Sequence, residues 1–250
     1  HCSERFEMKV EVITMMYNEE FLAPFFLNHY GWADKITVLL DQDTDDDTTA
    51  ILVQAKANII PFTFPDGMDD GLKSNLISHA YTRSDADWVL IADADEFAFI
   101  DKSAIEKIGE EYGIARVMLS DVYRHVTESD LDPAVSIQAQ RQHGCLDSRY
   151  IKPSLARTGL SVVWGPGHHH VSGTANQYPV TFRGVHWANA DPCFCVDRRI
   201  KGRRDRQSVA NRVYGWSTQN WTVTEESILA ECKSHENDPL VERIVSNENQ

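Results

Sequence analysis

The sequence is short of positive charge, of cysteine and of long apolar runs, and each shortage closes off a class of function. Lysine and arginine number 24 against 38 aspartates and glutamates, a formal net charge of −14. So acidic a chain is a poor general partner for nucleic acid, whose phosphates call for a basic surface. No apolar run approaches the ~20 residues that a membrane-crossing helix needs, and no signal-peptide pattern opens the sequence at His1. The expected setting is cytoplasmic, with any membrane association and further domains supplied by parts of a longer chain. The five cysteines (Cys2, Cys145, Cys193, Cys195, Cys232) form no zinc framework. Cys193-x-Cys195 is too tight for the usual ligand spacing, and an odd count points to free thiols in a reducing compartment. A glycine-rich phosphate loop, an internal repeat and a low-complexity linker are also missing.

What is present is an α/β pattern. The chain has 250 residues, 42% of them hydrophobic, enough for one large domain with an elaborated C-terminal half. Apolar β-rich runs at 8–16, 35–40, 58–64 and 88–92 alternate with helical spacing over 20–30, 48–57 and 69–83. A helix over 101–112 and a strand over 116–122 follow. Residues 124–160 are mixed, a basic helix is expected over 191–212, and a polar tail begins near 225. Short connections between alternating strands and helices predict a parallel, doubly wound sheet.

The run Trp88 to Ala92 reads as a central strand buried on both faces, and it leads into Asp93-Ala94-Asp95-Glu96. On an extended segment Asp93 and Asp95 point the same way. A carboxylate pair at the C-terminal end of a parallel strand lies where open α/β sheets bind ligands, and a divalent cation would hold it together. The bland alternative is a solvated acidic exit from the strand. The acidic stretch Asp41 to Thr48 is no EF-hand, because Asp46 and Leu52 stand where Gly and Glu are required. Its later acids suit a helix N-terminus; Asp41 ends a strand expected to lie beside the one carrying Asp93.

Lys73, near a predicted helix start, is either a phosphate ligand or a solvated surface lysine. Of His168-His169-His170, a strand would turn the first and third to one face. One of them completing the Asp93/Asp95 metal shell competes with an unrelated surface cluster, and His186 is the next candidate. Arg198, Arg199, Lys201, Arg203, Arg204 and Arg206 are either a solvated helix face or an anion site.

The order of these motifs resembles the family-2-like GT-A glycosyltransferases, in a compact branch with a late histidine segment. Tyr17-Asn18-Glu19 is similar to that family's opening Y-N-E. Asp41 to Thr48 is similar to its acidic D-D-G-S-x-D-x-T loop, with Asp43 where the family usually has Gly. Lys73-Ser74-Asn75 resembles its R/K-x-N helix, and Asp93-Ala94-Asp95-Glu96 its D-x-D-E. Lys152-Pro153, Gly167-His168-His169-His170 and His186-Trp187 resemble its K-x-x-x-P, H-H-x and H-Y segments.

The resemblance implies a GT-A, Rossmann-like, mostly parallel sheet with a C-terminal acceptor-side elaboration. Residues 8–115 would form the nucleotide-binding half, 116–225 the acceptor and metal-completing half, and 226–250 a tail. It implies a nucleotide-sugar donor, UDP-sugar favoured, and a glycan or other hydroxyl acceptor. Tyr17, Asn18, Glu19, Asp41, Lys73, Asp93, Arg203 and Arg204 would bind the donor. Asp93 and Asp95 would hold Mn²⁺ or Mg²⁺ with His170 or, second, His168, since the family's ligand tends to close its H-H segment. In an inverting displacement an acid removes the acceptor proton, and Asp121, then Asp147, are the candidates. The competing classes are a metal-dependent nucleotidyl or phosphoryl transferase and a non-catalytic sugar- or metal-binding module.

Overall fold

A computed structural model describes residues 7–132, 134–236 and 242–243, and their side chains except at 146–149 and 242–243. The first half alternates as the sequence predicts: β1 (Val10–Met16), α1 (Ala23–His29), β2 (Lys35–Asp41), α2 (Thr48–Gln54), β3 (Asn58–Phe62), α3 (Asp70–Thr82) and β4 (Trp88–Ile91). Then come β5 (Glu96–Ala98), α4 (Lys102–Ile105), β6 (Ile114–Tyr123), α5 (Ile137–Gln140) and β7 (His143–Arg157). The remainder holds β8 (Val163–Trp164), β9 (Val171–Ser172), β10 (Gln177–Asn189), α6 (Pro192–Asp197), α7 (Val209–Tyr214), α8 (Glu225–Glu236) and β11 (Glu242–Arg243).

The main sheet runs β3-β2-β1-β4-β7-β6-β10-β5, with β11 on β7. β1 to β4 are mutually parallel; β7 is antiparallel to both its neighbours, and β10 is parallel to β6 and antiparallel to β5. β6 and β10 therefore point the same way as β1 to β4, and the sheet is mostly parallel in direction. Strand pleating divides the core between two faces. Val10, Val12, Val38, Leu40 and Leu90 pack with Phe25, Phe26 and Leu52 of α1 and α2. Ile13, Leu39, Val89 and Ile91 pack with Ile77 and Tyr81 of α3 and with Trp164. Helices thus cover both faces, and each fully buried aliphatic side chain contributes ~1.5–3 kcal/mol of hydrophobic stabilisation.

Several expectations are corrected. The strand next to β4 is β1, so Asp41 on β2 lies one strand further away than its position in the pattern implied. The segment 124–160 conceals the 15-residue β7. The helix expected over 101–112 closes after one turn, capped by the Asp101 side chain on the Ala104 amide, although Ile105 and Ile108 are both buried. The basic helix is broken: α6 passes into a π-helix (Arg198–Arg203) and a 3-10 turn (Arg204–Arg206) before α7. The histidine run is no strand; it follows a 3-10 turn (Pro166–His168) in which Gly167 and His168 have φ of 69° and 58°. Among the described residues no helix is long and apolar enough to cross a membrane. Cys193, Cys195 and Cys232 are free thiols.

Candidate active site

β1, β2 and β4 end on one side of the sheet, and there a cleft of ≈ 1000 Å³, partly open to solvent, is lined by residues from both halves of the chain. Tyr17 and Glu19 follow β1, Lys73 comes from the first turns of α3, and Asp93 and Glu96 follow β4. Lys152 arrives on β7, His186 on β10, and Arg198, Arg203 and Arg206 on the broken basic segment.

After β4 the chain does not stay extended. Glu96 N–H bonds the carbonyl of Asp93 at 2.9 Å, closing a turn, so Asp93 and Asp95 meet different partners. Asp93 takes Lys73 Nζ on Oδ1 at 2.6 Å and Lys152 Nζ on Oδ2 at 3.1 Å. Burial acts to raise its pKa, but the two ammonium groups prevail and hold it well below the usual carboxylate range. Lys152, itself buried, also pairs with Glu96. Asp95 is fully buried; its Oδ2 receives Arg198 and, at 3.1 Å, Nε2 of His186, with Arg203 3.8 Å away. Burial is again overcome, here by Arg198 and His186, and Asp95 stays ionised.

His186 is clamped from both sides, since its Nδ1 bonds Asp121 Oδ1 at 2.6 Å. Burial opposes the imidazolium, but the Asp95 and Asp121 carboxylates push its pKa up to about 10. Arg198 reaches on to Glu19, whose Oε1 accepts Nε and Nη2 at 2.9 and 2.8 Å. Glu19 Oε2 is buried with no hydrogen-bond partner among the described residues, and burial raises the pKa of this carboxyl in spite of Arg198. At the other end of the cleft Arg206 lies over the Tyr17 ring, 3.4 Å from its centroid, and donates to Asp41 Oδ2 at 2.6 Å.

The π-helix explains which arginines enter. Its i→i+5 hydrogen bonding sets residues five apart nearly over one another, so Arg198 and Arg203 face Asp95 together. Arg199 instead pairs with Glu231, Lys201 with Asp197, and Arg204 with Asp205 and the Val223 carbonyl.

The expected site residues are distributed accordingly. Tyr17, Glu19, Lys73, Asp93 and Arg203 line the cleft. Asp41 sits behind Arg206, Asn18 turns to Asp45, and Arg204 points elsewhere. Asp121 is buried against His186 and does not face the cleft. Asp147 lies in β7 outside the residues whose side chains are described. His168 is buried, its Nδ1 3.8 Å from Asp93; burial, with Lys73 and Lys152 nearby, lowers its pKa to about 3. His170 is exposed, its ring against Gly165.

Sequence reasoning named Arg198 only as one of a basic cluster that could bind an anion, and gave Lys152 and Glu96 no role beyond their place in motifs. The spacing of five between Arg198 and Arg203 was the available signal for the first.

Three ligand atoms, one each from Asp95, Glu96 and His186, lie within 4.8 Å of one another. Asp95 Oδ1 is buried without a hydrogen-bond partner among the described residues, an oxygen left available for a cation. Two carboxylates and one imidazole fit Mn²⁺ well and Mg²⁺ less well, the cation taking the place of the proton that His186 Nε2 shares with Asp95.

Neither a protein-family model nor a curated protein matches the sequence. Among solved structures the chain is similar to S. aureus TarS, at 15% identity over 90% of this chain and 43% of that one, with a TM-score of 0.44. It is similar to S. aureus TarS 1-349 in complex with UDP, at 14% identity over 83% and 78% of the two chains, TM-score 0.43. A third is 4-diphosphocytidyl-2C-methyl-D-erythritol synthase from Anaerococcus prevotii DSM 20548, at 12% identity over 60% and 70%, TM-score 0.32. The chain thus spans 43% of the full TarS chain.

Proposed function

We propose that this chain is a metal-dependent glycosyltransferase, moving a sugar from a nucleotide-diphosphate sugar to a hydroxyl of a glycan or similar acceptor, with inversion. The observation that carries the reading is the composition of the cleft. Half-buried Asp93 and buried Asp95 and Glu96 share the C-terminal end of the parallel strands with Lys73, Lys152, Arg198 and Arg203. Such a site can take a diphosphate and a divalent cation side by side. UDP is favoured on the motif resemblance alone.

The Tyr17 ring and the Arg206 guanidinium form a flat surface for a nucleobase, with Asp41 fixing the arginine. Lys73 and Arg203 attract the diphosphate. Asp95, Glu96 and His186 would hold Mn²⁺ or Mg²⁺, which when bound offsets charge growing on the leaving diphosphate. In the transfer the acceptor oxygen bonds to the anomeric carbon while the bond from that carbon to the diphosphate oxygen breaks, its electron pair leaving with the diphosphate. The hydroxyl proton goes to Glu19 Oε2, a carboxylate oxygen made more basic by burial. Asp121 acts through His186 as a positioning residue.

Thermal shift with UDP, GDP, CDP and ADP, each with and without Mn²⁺, tests the reading. At ~100 times Kd a ligand adds ~2.7 kcal/mol of stability. A metal-dependent shift with UDP is expected, and no such shift with any of the four overturns the proposal.

A further inference from the structure

A second cleft, of ≈ 1170 Å³ and also open to solvent, adjoins the first and shares Tyr17, Arg198 and Gly202 with it. Its apolar surface comprises Leu131 and an aromatic pair, Phe21 from the turn before α1 and Phe194 from α6, stacked at 4.6 Å between centroids. Around this pair stand Glu20, Asp46, Asp130, Asp191 and Asp197.

The cations at this cleft are already committed. Arg198 is held by Glu19 and Asp95, and Lys201 by Asp197 at 2.9 Å. Asp130 has Arg124 at 2.7 Å. Among the described residues Glu20, Asp46 and Asp191 accept hydrogen bonds from backbone amides alone: Asp47 N–H to Glu20, Glu20 and Thr48 N–H to Asp46, and Phe194 N–H to Asp191. No ion pair among the described residues involves these three. The cleft therefore combines aromatic side chains with five carboxylates against the two cations Arg198 and Lys201, and walls with such an excess of negative charge concentrate cations and repel anions.

We infer that this second cleft binds the acceptor, and that the acceptor is a saccharide carrying protonated amines. Resting on the glycosyltransferase reading, this names the substrate class of the same site. Phe194 and Phe21 stack on each other and Arg198 lies 5.9 Å from the Phe194 centroid, so a sugar ring can lay its C–H groups along the exposed side of the pair, while an ammonium group gains from the carboxylates. A uronate or phosphate-bearing acceptor meets the same walls with the wrong sign. The wall shared at Arg198 places an occupant beside Glu19 and Asp95, where the donor's reacting carbon would lie.

The test measures binding to the whole chain without donor, at about pH 6, where amines are protonated. Glucosamine tetramer, N-acetylglucosamine tetramer and galacturonate tetramer are titrated by calorimetry, with UDP and Mn²⁺ titrated separately. The expected order is amine, then neutral, then anionic. The amine should bind at least about fivefold more tightly than its acetylated counterpart, by a margin that shrinks as salt rises. Glu20→Gln should narrow the margin, and Phe194→Leu should weaken both amine and neutral oligomers, while UDP binding stays unchanged in each. Galacturonate binding as well as glucosamine, no saccharide binding at all, or binding indifferent to both substitutions overturns the inference. The UDP titration is read by itself: failure there removes the donor reading, whereas saccharide failure beside intact UDP binding removes only the assignment of this cleft.

Discussion

Asp121 stands in register opposite His186 across the β6–β10 pair, and its carboxylate accepts Nδ1–H of that imidazole at 2.6 Å. Both residues sit on the pleat of neighbouring parallel strands, so the ring is held by the sheet as well as by the bond. Asp121→Asn should leave the fold intact but release the ring's orientation. Partners of this kind are typically worth ~10–100-fold in metal affinity or activity. Mn²⁺ titration followed by turnover at saturating metal checks it. Wild-type affinity and rate in the variant would mean that the pair is structural.

Glu19→Gln keeps the size of the side chain and removes its capacity to take a proton. The proposal predicts a fall in kcat of ~10²–10⁴-fold with UDP affinity little altered. Loss of UDP binding in step with the rate would place Glu19 among the donor contacts instead.

Arg203 and Arg204 are neighbours in sequence with opposite surroundings. Arg203 lines the cleft near Asp95, and Arg204 is taken up by Asp205 and the Val223 carbonyl. Arg203→Glu should raise KM for the donor by about tenfold or more, the equivalent of ~1.4 kcal/mol, and flatten its salt dependence. Arg204→Glu should do neither. Equal effects at both positions would count against the π-helix as the element that selects them.

Stability should decline on both sides of neutrality for different histidines. His29 is half-buried and stacked on Phe97, its Nε2 bonding the Ala98 carbonyl at 2.8 Å, and its partial burial lowers its pKa. Below ~6.5 the unfolded chain takes up a proton that the folded one refuses, so folding weakens as pH falls, by at most ~1.4 kcal/mol per pH unit for one group. His186 works in the opposite sense. Its pKa of about 10 gives stability that is fully present below ~6.5 and is lost as pH rises towards the folded value. Urea unfolding of wild type and His29→Gln across pH separates them. The substitution should make the acid limb shallower, not abolish it, because His168 with its pKa of about 3 adds to the same limb, and it should leave the alkaline limb unchanged.

The parallel half of the sheet was legible because short apolar runs such as Trp88 to Ala92 leave little choice but a buried strand. β7 was hidden because its sequence places Lys152, Pro153 and Arg157 inside the strand and so breaks the alternation that marks one. Lys152 is tolerated there only because Asp93 and Glu96 face it, a pairing that lies 56 residues away for Glu96 and invisible to local pattern. The histidine run failed differently. Strand periodicity set His168 and His170 on one face, but the positive φ of Gly167 and His168 turns the chain, burying the one and exposing the other.

The place of β7 between β4 and β6 also has a bearing on how the chain is made. As the protein leaves the ribosome, β1 to β4 can assemble early, but β4 then presents an open edge on which another chain could pair. That edge stays uncovered until residue 157 has emerged, because Trp88 pairs with Arg157 and Leu90 with Leu155. The same strand delivers Lys152 to Asp93 and Glu96. Until it docks, a nascent first half carries a bare edge and a knot of repelling carboxylates side by side. One strand covers the edge and begins to balance the carboxylates, while the partners of Asp95 and Glu19, His186 and Arg198, arrive only with β10 and the segment after it.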